Sequence, residues 1–368
     1  MFHNKKVRTV ALVMMVFGSV QASGRESLLK LLANNIKANA DDAVCLDCHS
    51  GIADNTMNYI HYPAGAGACS YCHTAKPEHL GGDNPQDSVS INRKAENCYT
   101  CHERKDENPV LHGALADVDS CISCHNPHSS NVRSLLRAAT VPALCASCHD
   151  ISVQGKSQHG PVINGQTCLN CHTPHSGKHQ KLLHKPAKDL CLACHNKEIQ
   201  ATLNGTRTIP NIQKKLEMAG AHPGAAGSCL DCHKAHVSEN NRLLTAAWSV
   251  KNYNTFEEKE NPYAMCFTCH DTGMLKKDDF VSDTGFRNDT KKLNLHWFHV
   301  VDAAGSEDKS RGRSCKICHD PHGAPQAHDV NNTWFMNGNP IKIEYQLIDN
   351  GGQCTKSCHA TRQYRRDN

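Results

Sequence analysis

The chain has 368 residues, a formal net charge of +4, 5% aromatic residues, a mean hydropathy of −0.56 and 22 cysteines. A chain of this length with so few large apolar side chains cannot easily fill a core from its own residues. Disulfides, metals or cofactors must therefore supply the missing buried mass. The small net charge gives no indication of a nucleic-acid partner.

Residues 1–22 are predicted to form a secretory signal peptide. Lys5, Lys6 and Arg8 precede an apolar run from Val10 to Val20, and a small residue, Ala22, offers a cleavage site. The run is too short to cross a bilayer, which makes an uncleaved anchor the weaker alternative. Cleavage removes three basic residues and lowers the net charge from +4 to +1. We therefore expect a protein secreted across the inner membrane, with no transmembrane segment of its own.

Residues 23–44 form a lead-in segment before the first cysteine. Leucines and an isoleucine between Glu26 and Ala38 recur at helical spacing, which predicts a helix there.

The cysteines after this segment form eleven pairs, and each pair is followed directly by a histidine. Ten of these motifs read Cys-x-x-Cys-His, and the last has one extra residue between its cysteines. Numbered 1 to 11 in chain order, the cysteine pairs are Cys45 and Cys48, Cys69 and Cys72, Cys98 and Cys101, Cys121 and Cys124, Cys145 and Cys148, Cys168 and Cys171, Cys191 and Cys194, Cys229 and Cys232, Cys266 and Cys269, Cys315 and Cys318, and Cys354 and Cys358. The histidines that follow them are His49, His73, His102, His125, His149, His172, His195, His233, His270, His319 and His359.

Cys-x-x-Cys-His is the attachment signature of c-type haem, in which two thiols bind the porphyrin and the histidine is the proximal iron ligand. Zinc ribbons pair one Cys-x-x-Cys with another and need no adjacent histidine, and thioredoxin-like motifs occur singly. A disulfide scaffold does not explain the histidines. About eleven covalently attached haems are therefore predicted. At Cys354 and Cys358 a single disulfide stays an alternative.

The remaining histidines are candidates for the second, distal iron ligand. Two groups have recurring positions: one lies seven to nine residues before a motif, and the other lies three residues after a proximal histidine. The second group lies on the same side as its own proximal ligand, so it must serve a neighbouring iron. The predicted distal ligands are His61, His112, His159, His184 and His222 from the first group, His128, His175, His236 and His322 from the second, and His79 and His299 in addition.

His299 and His296 are close alternatives for that last ligand, and His179 and His328 are left without a role. Methionine is the rival axial ligand, but no methionine recurs at a fixed offset from the motifs.

The spacing of the motifs predicts a dense seven-haem region at 45–195, a linker at 196–221 and a looser four-haem region at 222–368. We expect a mostly irregular chain with short α-helices and little β structure, in which an elongated haem array is the core. Residues Ile341 to Ile348 are the predicted site of a short hairpin.

A repeated pattern of Cys-His-x-Pro-His, a Leu-Leu pair and a second Leu-Cys-x-x-Cys-His runs from Cys121 to His149 and from Cys168 to His195. In this pattern the chain resembles the doubled-motif multihaem cytochromes c, and also the decahaem subunits of outer-membrane electron conduits. The resemblance implies haems with two histidine ligands in alternating stacked and perpendicular pairs, which relay electrons between the periplasm and the outside. The eleventh motif and the loose spacing after Cys229 depart from the decahaem pattern.

The predicted function is electron transfer without catalysis. Expected partners are redox proteins, including other multihaem cytochromes and an outer-membrane porin, with the protein in the periplasm, at the outer membrane or outside the cell. The alternatives are a multihaem reductase of a small oxyanion and an extracellular cytochrome filament subunit. Several such reductases replace the proximal histidine by lysine at one haem, and no Cys-x-x-Cys-Lys occurs here.

Overall fold

The computed structural model describes residues 42–52, 56–80, 88–151, 154–163, 168–201, 207–257, 260–277, 284–302, 312–355 and 358–367. The predicted signal peptide, the predicted helix at 26–38 and most of the lead-in segment lie outside the described residues.

Most of the cysteine motifs lie on short helices. The α-helices are Ala43–His49, Tyr62–Gly65, Ala95–Tyr99, Val141–Ala146, Gly160–Ile163, Ala187–His195, Ile212–Leu216, Pro223–Ala226, Cys229–Cys232, Leu295–Val300 and Cys315–Cys318. The 3-10 helices are Cys69–Tyr71, Pro77–Leu80, Gly113–Ala116, Arg133–Leu135, Cys168–Asn170, Gln180–Leu182, Asn241–Leu243, Cys266–Thr268, Thr272–Leu275 and Ala327–Asp329.

Local sequence explains where these helices begin. The Thr140 hydroxyl accepts a hydrogen bond from the Ala143 N–H and caps Val141–Ala146, which has Pro142 in its first turn. Even the longest helix of the described residues, Ala187–His195, has only nine residues. Across the described part of the chain, no helix has the length and apolar character to span a membrane.

The strands are short and pair only in small antiparallel sheets. They are β1 Tyr59–Ile60, β2 His73–Ala75, β3 Val89–Ile91, β4 Val110–Leu111, β5 Ser129–Ser130, β6 Ser157–Gln158, β7 Ser176–Gly177, β8 Ile199–Gln200, β9 Thr208–Ile209, β10 Val237–Ser238, β11 Tyr253–Asn254, β12 Arg287–Asn288, β13 Leu293–Asn294, β14 Gly312–Arg313, β15 Thr333–Met336, β16 Asn339–Lys342, β17 Glu344–Ile348, β18 Gly351–Thr355 and β19 Arg362–Arg365. The three-stranded sheet has the order β17-β18-β19, and the other sheets have two strands: β1-β5, β2-β3, β4-β7, β6-β10, β8-β9, β11-β14, β12-β13 and β15-β16.

The hairpin predicted at 341–348 is wrong, because this segment is divided between two hairpins. Residue Ile341 lies in β16, which pairs with β15, whereas β17 pairs with β18. The turn between β15 and β16 is Asn337-Gly338, and both residues have positive φ, at 51° and 82°. Asn-Gly is a strong signal for a two-residue hairpin turn. The first hairpin therefore turns at Asn337-Gly338, before the segment that was expected to form a hairpin.

The chain divides into two compact units. Unit 1 contains residues up to His149 and the segment His172–Leu182, and unit 2 contains Asp150–Cys171 and Leu183–Asn368. The sequence-based division at 196–221 does not coincide with this boundary. Strand pairing explains the difference, since β7 at 176–177 pairs with β4 at 110–111, and β10 at 237–238 pairs with β6 at 157–158.

Buried hydrophobic side chains are unevenly distributed along the described residues. Between 42 and 245 they are Ala68 and Leu244, whereas between 260 and 367 they are Tyr263, Met265, Leu275, Val300, Ile317, Ala324, Val330, Ile343 and Tyr364. In unit 2, Tyr263, Leu275 and Val300 form a cluster with Phe256, Phe267 and Met274 packed against it.

Candidate metal-ligand sites

The thiols of consecutive motifs lie side by side. In unit 1, Cys45 and Cys69 bring their sulfurs within 4.8 Å of each other, together with an Asp42 carboxylate oxygen. That carboxylate accepts hydrogen bonds from the N–H and the hydroxyl of Ser70, at 3.0 and 2.9 Å. Motifs 1 and 2 are therefore direct neighbours.

The same adjacency recurs further along the chain. Burial, together with the neighbouring thiol of Cys121, raises the pKa of Cys98 to about 11. A hydrogen bond with Cys229 and burial raise the pKa of Cys191, and a hydrogen bond with Cys266 and burial raise that of Cys315. These contacts join motifs 3 and 4, motifs 7 and 8, and motifs 9 and 10. The same hydrogen bonds lower the pKa of the partner thiols, that of Cys229 to about 6 and that of Cys266 as well, so in each of these two pairs one sulfur donates and the other accepts.

Both cysteines of motif 11, Cys354 and Cys358, are unbridged. Cys354 lies in β18, so this motif, unlike those on helical turns, is built on a sheet.

Ten of the eleven motif histidines lie opposite a second histidine that belongs to no motif. The ring centres are separated by 6.1 Å in His49–His79, 5.9 Å in His61–His102, 6.0 Å in His73–His128, 5.9 Å in His112–His149, 6.2 Å in His125–His175, 6.4 Å in His159–His195, 6.0 Å in His222–His270, 6.1 Å in His233–His322, 6.3 Å in His296–His319 and 6.5 Å in His299–His359.

This separation fits a metal ion held between the two rings. Two imidazole–metal bonds of about 2 Å, plus about 1 Å from each bonded nitrogen to its ring centre, place the centres about 6 Å apart. Aromatic side chains in ordinary contact also reach such distances. Ordinary contact does not explain why each of these pairs joins one motif histidine to one other histidine.

Hydrogen bonds on the far side of the rings support the same interpretation. Nδ1 of His61, His125, His159, His233, His299, His319 and His359 lies 2.7–3.0 Å from a backbone carbonyl oxygen. A carbonyl oxygen only accepts, so Nδ1 carries the proton and Nε2 keeps the lone pair that binds a metal. An outer hydrogen bond of this kind is the usual support of a ligating histidine.

His222 is an exception to this hydrogen-bond pattern. Its Nδ1 accepts a hydrogen bond from the Gly224 N–H at 3.2 Å and does not donate to a carbonyl oxygen.

Short β-ladders bring together pairs of the histidines that belong to no motif. The β1–β5 ladder aligns the residues before His61 with those after His128, and the His61 N–H donates to the His128 carbonyl at 2.7 Å. Equivalent bonds run from His112 to His175 at 2.8 Å and from His159 to His236 at 2.9 Å. Before His222, a single bridge between Gly220 and Ala324 replaces the ladder.

The proximal histidines of motifs 4, 6, 8 and 10 share a local structure that we call the clamp. Nine residues after each of them, a carbonyl oxygen accepts from Nδ1, at 2.7 Å for Ser134, 2.8 Å for Lys181, 3.0 Å for Arg242 and 2.8 Å for His328. These residues and the ones that follow them all have φ between 55° and 61°. Two consecutive left-handed residues that are not glycine are uncommon, and their recurrence indicates a functional constraint.

Two backbone hydrogen bonds complete each clamp. In motif 4 the Asn126 N–H donates to the Leu135 carbonyl at 2.7 Å, and the Arg137 N–H donates to the Cys124 carbonyl at 3.0 Å. The sequence contains a signal for this turn. In motifs 4, 6 and 8 the second left-handed residue is the first leucine of the Leu-Leu pair. The sequence interpretation noted the Leu-Leu pair but missed the carbonyl that it positions.

One helix, Leu295–Val300, carries both histidines that lie opposite the histidines of motifs 10 and 11. They are His296 and His299. Residues three apart lie on the same helical face, so the two rings point to the same side. His296 Nδ1 lies 2.7 Å from the Thr284 hydroxyl, and His299 Nδ1 lies 2.7 Å from the Leu295 carbonyl. Burial lowers the pKa of His296 to about 3 and also lowers that of His299, so both rings are neutral, as ligands must be.

These rings line a cavity of about 1110 Å³ within unit 2. Its other lining groups include the cysteines Cys266, Cys315, Cys318, Cys354 and Cys358 and the histidines His270, His319 and His359. The cavity exceeds the usual volume of a small-molecule site and brings the thiols of motifs 9, 10 and 11 to one space.

The geometry adds one histidine to the predicted distal ligands and gives another a different position. The sequence favoured His299 over His296 as a single ligand. The structure places His296 opposite His319 and His299 opposite His359. His184 was chosen for its spacing before motif 7, but the ring opposite His195 belongs to His159.

His184 has a different role, because it occupies the clamp position held by Arg137 in motif 4. Its N–H donates to the Cys171 carbonyl at 3.0 Å, and its Nε2 lies 2.9 Å from the Leu169 carbonyl. The nitrogen that would bind a metal therefore binds the motif loop instead.

The other sequence-predicted residues are placed as follows. His172, the histidine of motif 6, directs Nδ1 at the Lys181 carbonyl, and the carbonyl of His236 accepts a hydrogen bond from the His159 N–H. The left-over His328 contributes its carbonyl to the clamp of motif 10, and its ring centre lies 6.1 Å from that of Tyr345.

Comparison with known proteins identifies the motif pattern. The family model described as "Doubled CXXCH motif" matches residues 112–153, 159–200 and 222–275. A similar protein is the multiheme cytochrome MtrA of Shewanella baltica (strain OS185), which is 28% identical over 115 residues, or 30% of this chain. The match covers 33% of that protein, so the chain spans about a third of the length of this relative. The resemblance to doubled-motif multihaem cytochromes is thereby confirmed.

Proposed function

We propose that this chain, a multihaem c-type cytochrome, relays electrons along eleven covalently bound haems, each held between two histidines. The thiol pairs of the eleven motifs would attach the porphyrins, and the motif histidines would be the proximal ligands. When bound, each haem iron takes up and releases one electron.

The observation that carries this proposal is the pairing of motif histidines with histidines outside the motifs. Ten such pairs have ring centres 5.9–6.5 Å apart. The distal ligands that we propose from these pairs are His61, His79, His112, His128, His159, His175, His222, His296, His299 and His322. For the eleventh haem, at motif 6, we propose His236, which lies three residues after the histidine of motif 8. A second histidine on the iron leaves no open coordination position for a substrate, which favours transfer over catalysis.

The order of the sites along the chain supports a path within each unit. The β1–β5 ladder joins the distal ligand of motif 3, His61, to that of motif 2, His128, and the β4–β7 ladder does the same for motifs 5 and 4. Thiol contacts join motifs 1 and 2, 3 and 4, 7 and 8, and 9 and 10. Consecutive motifs are thus linked from motif 1 to motif 5 within unit 1 and from motif 7 to motif 10 within unit 2, in each case through their distal ligands or through their thiols.

We further propose that the protein is secreted across the inner membrane and exchanges electrons with other redox proteins. Donors in the periplasm and an acceptor at the outer membrane or outside the cell fit the resemblance to electron-conduit subunits. Other multihaem cytochromes and an outer-membrane porin are the partners that this resemblance suggests.

The test is the intact mass of the purified protein together with its visible spectrum. Eleven haems added to the chain that begins after residue 22, with low-spin spectra in both redox states, are expected. Less than one equivalent of carbon monoxide should bind per reduced protein, because each iron has two strong ligands. A mass equal to the bare polypeptide, or a high-spin haem that turns over a small oxyanion, would contradict the proposal.

A further inference from the structure

The clamp offers an inference that concerns reduction potentials and rests on the proposed function. The four clamps occur at alternate motifs, 4, 6, 8 and 10, and each one directs a backbone carbonyl at Nδ1 of a proximal histidine. The acceptor is a carbonyl, so the side chain at the turn plays no chemical part. This explains why Ser134, Lys181, Arg242 and His328 have nothing in common except their φ.

Motif 7 provides an internal contrast. The Nδ1 of its proximal histidine, His195, is buried and has no hydrogen-bond partner among the described residues. Motif 6, in the same doubled repeat, has the carbonyl of Lys181 at 2.8 Å from Nδ1 of His172. Proximal histidines with and without an acceptor therefore occur within one repeat.

The acceptor changes the electron density of the imidazole. A proton on Nδ1 that is shared with a carbonyl oxygen makes the ring a stronger donor through Nε2. A stronger donor stabilises the oxidised, more positive iron relative to the reduced iron, so the hydrogen bond lowers the reduction potential.

We propose that the left-handed turns at Ser134, Lys181, Arg242 and His328 set the reduction potentials of sites 4, 6, 8 and 10. They do so by holding a carbonyl in place on the proximal imidazole. The four residues are positioning residues, because they act on the iron only through the histidine.

Two matched variants test this inference. In the first, all four residues are replaced by isoleucine, as S134I, K181I, R242I and H328I. β-branched residues are strongly disfavoured at positive φ, so the turn relaxes and the carbonyl moves away from Nδ1. In the second, the same four residues become glycine, which accepts the left-handed conformation. Both variants lose the same side chains and charges, and only the backbone preference differs.

The readout is the spectroelectrochemical titration of the whole protein, after the haem content of each variant has been measured. We expect the glycine variant to titrate like the native protein. In the isoleucine variant, four of the eleven haem equivalents should move to higher potential. A tenfold weaker preference for the oxidised state corresponds to about 59 mV for one electron.

Two failures are distinguishable. Native protein without haem at these sites would overturn the proposed function itself. Fully loaded isoleucine and glycine variants with identical titrations would overturn only the inference about the turns. If the fourfold isoleucine variant loses haem, the single variants S134I and S134G replace it, and one haem equivalent should move in S134I alone.

Discussion

Residues 42–245 and residues 260–367 are stabilised in different ways. The first region holds most of the motifs, yet its buried hydrophobic side chains are only Ala68 and Leu244 among the described residues. The second region holds the last three motifs and buries nine hydrophobic side chains. It also contains the three-stranded sheet β17-β18-β19.

The difference shows what each region needs from its cofactors. In the first region, β-ladders and clamps fix local geometry, but two-residue ladders are too small to be stable alone. We infer that haem, a large apolar group, supplies the missing core. In the second region, Tyr263, Leu275 and Val300 pack against one another. We therefore expect the first region to depend on haem far more strongly than the second.

The largest expected effect comes from preventing haem attachment. Protein made without haem attachment should be unfolded throughout 42–245, because the conformational entropy of that segment is not offset by burial. Part of 312–367 should keep its strands. Limited proteolysis followed by mass spectrometry measures this difference, with the haem-loaded protein as the control. Equal resistance of both regions in the haem-free chain would break the comparison.

A smaller effect separates a ligand from a clamp residue in the first region. The variant H159A should convert one haem to a high-spin form that binds carbon monoxide, since His159 lies opposite His195 at 6.4 Å. The variant H184A should keep every haem low-spin, because His184 hydrogen-bonds the Leu169 carbonyl through Nε2. Carbon monoxide difference spectra of the two reduced proteins count the open irons. A new open iron in H184A would restore the original spacing argument.

The same measurement applies to the second region, where one helix carries two candidate ligands. We expect H296A and H299A each to open one iron, and the double variant to open two. The variant H179A is the matched control, because His179 is paired with no motif histidine in the described residues. If only one of the two helix variants opens an iron, the helix serves a single site.

These cases show how far the sequence predicts the sites. The motif spacing indicates the cysteines and proximal histidines directly. The pattern His-x-Pro-His indicates His128, His175 and His322, whose rings lie opposite the histidine two motifs earlier in the chain. Spacing alone does not distinguish His184 from a ligand, although its Nε2 lies 2.9 Å from the Leu169 carbonyl oxygen. It also fails at His296, because spacing along the chain does not reveal that one helix faces two motifs.

The fold was predictable only in character. Short helices and little β structure follow from the composition, but the ladders depend on pairing between residues about 70 positions apart, such as Ile60 and Ser129. No local signal identifies such partners. The Asn337-Gly338 turn was a local signal, and using it would have placed the last hairpins correctly.

A still smaller effect is expected in the electron paramagnetic resonance of the oxidised protein. Six pairs have ring planes within 18° of parallel, such as His49–His79 at 6°, whereas His112–His149 and His222–His270 are tilted by 56° and 60°. Parallel imidazoles split the iron d orbitals unequally and give rhombic spectra, whereas crossed imidazoles give axial ones. We expect two classes of signal, with the rhombic class larger. A single axial class would contradict the parallel pairs.

The smallest effect concerns the residue that begins the two-ligand helix. Asn294 is fully buried, its Oδ1 accepts from the N–H groups of His296 and Trp297, and its Nδ2 donates to the carbonyls of Met274 and Lys276. The variant N294A loses the helix cap and leaves buried carbonyls without donors, which should lower the free energy of unfolding by about 2 kcal/mol.

The variant N294D is the matched control for the cap, because its carboxylate accepts from the same N–H groups but cannot donate to the two carbonyls. We expect N294D to be destabilised as well, since a buried carboxylate beside two carbonyls is unfavourable, while its helix stays formed. The two variants separate cap from donor: His296 should lose order in N294A and keep its low-spin haem in N294D. Thermal unfolding followed at the haem absorbance measures the stabilities, and carbon monoxide binding reports the ligand. Equal carbon monoxide binding by both variants would show that the cap does not position His296.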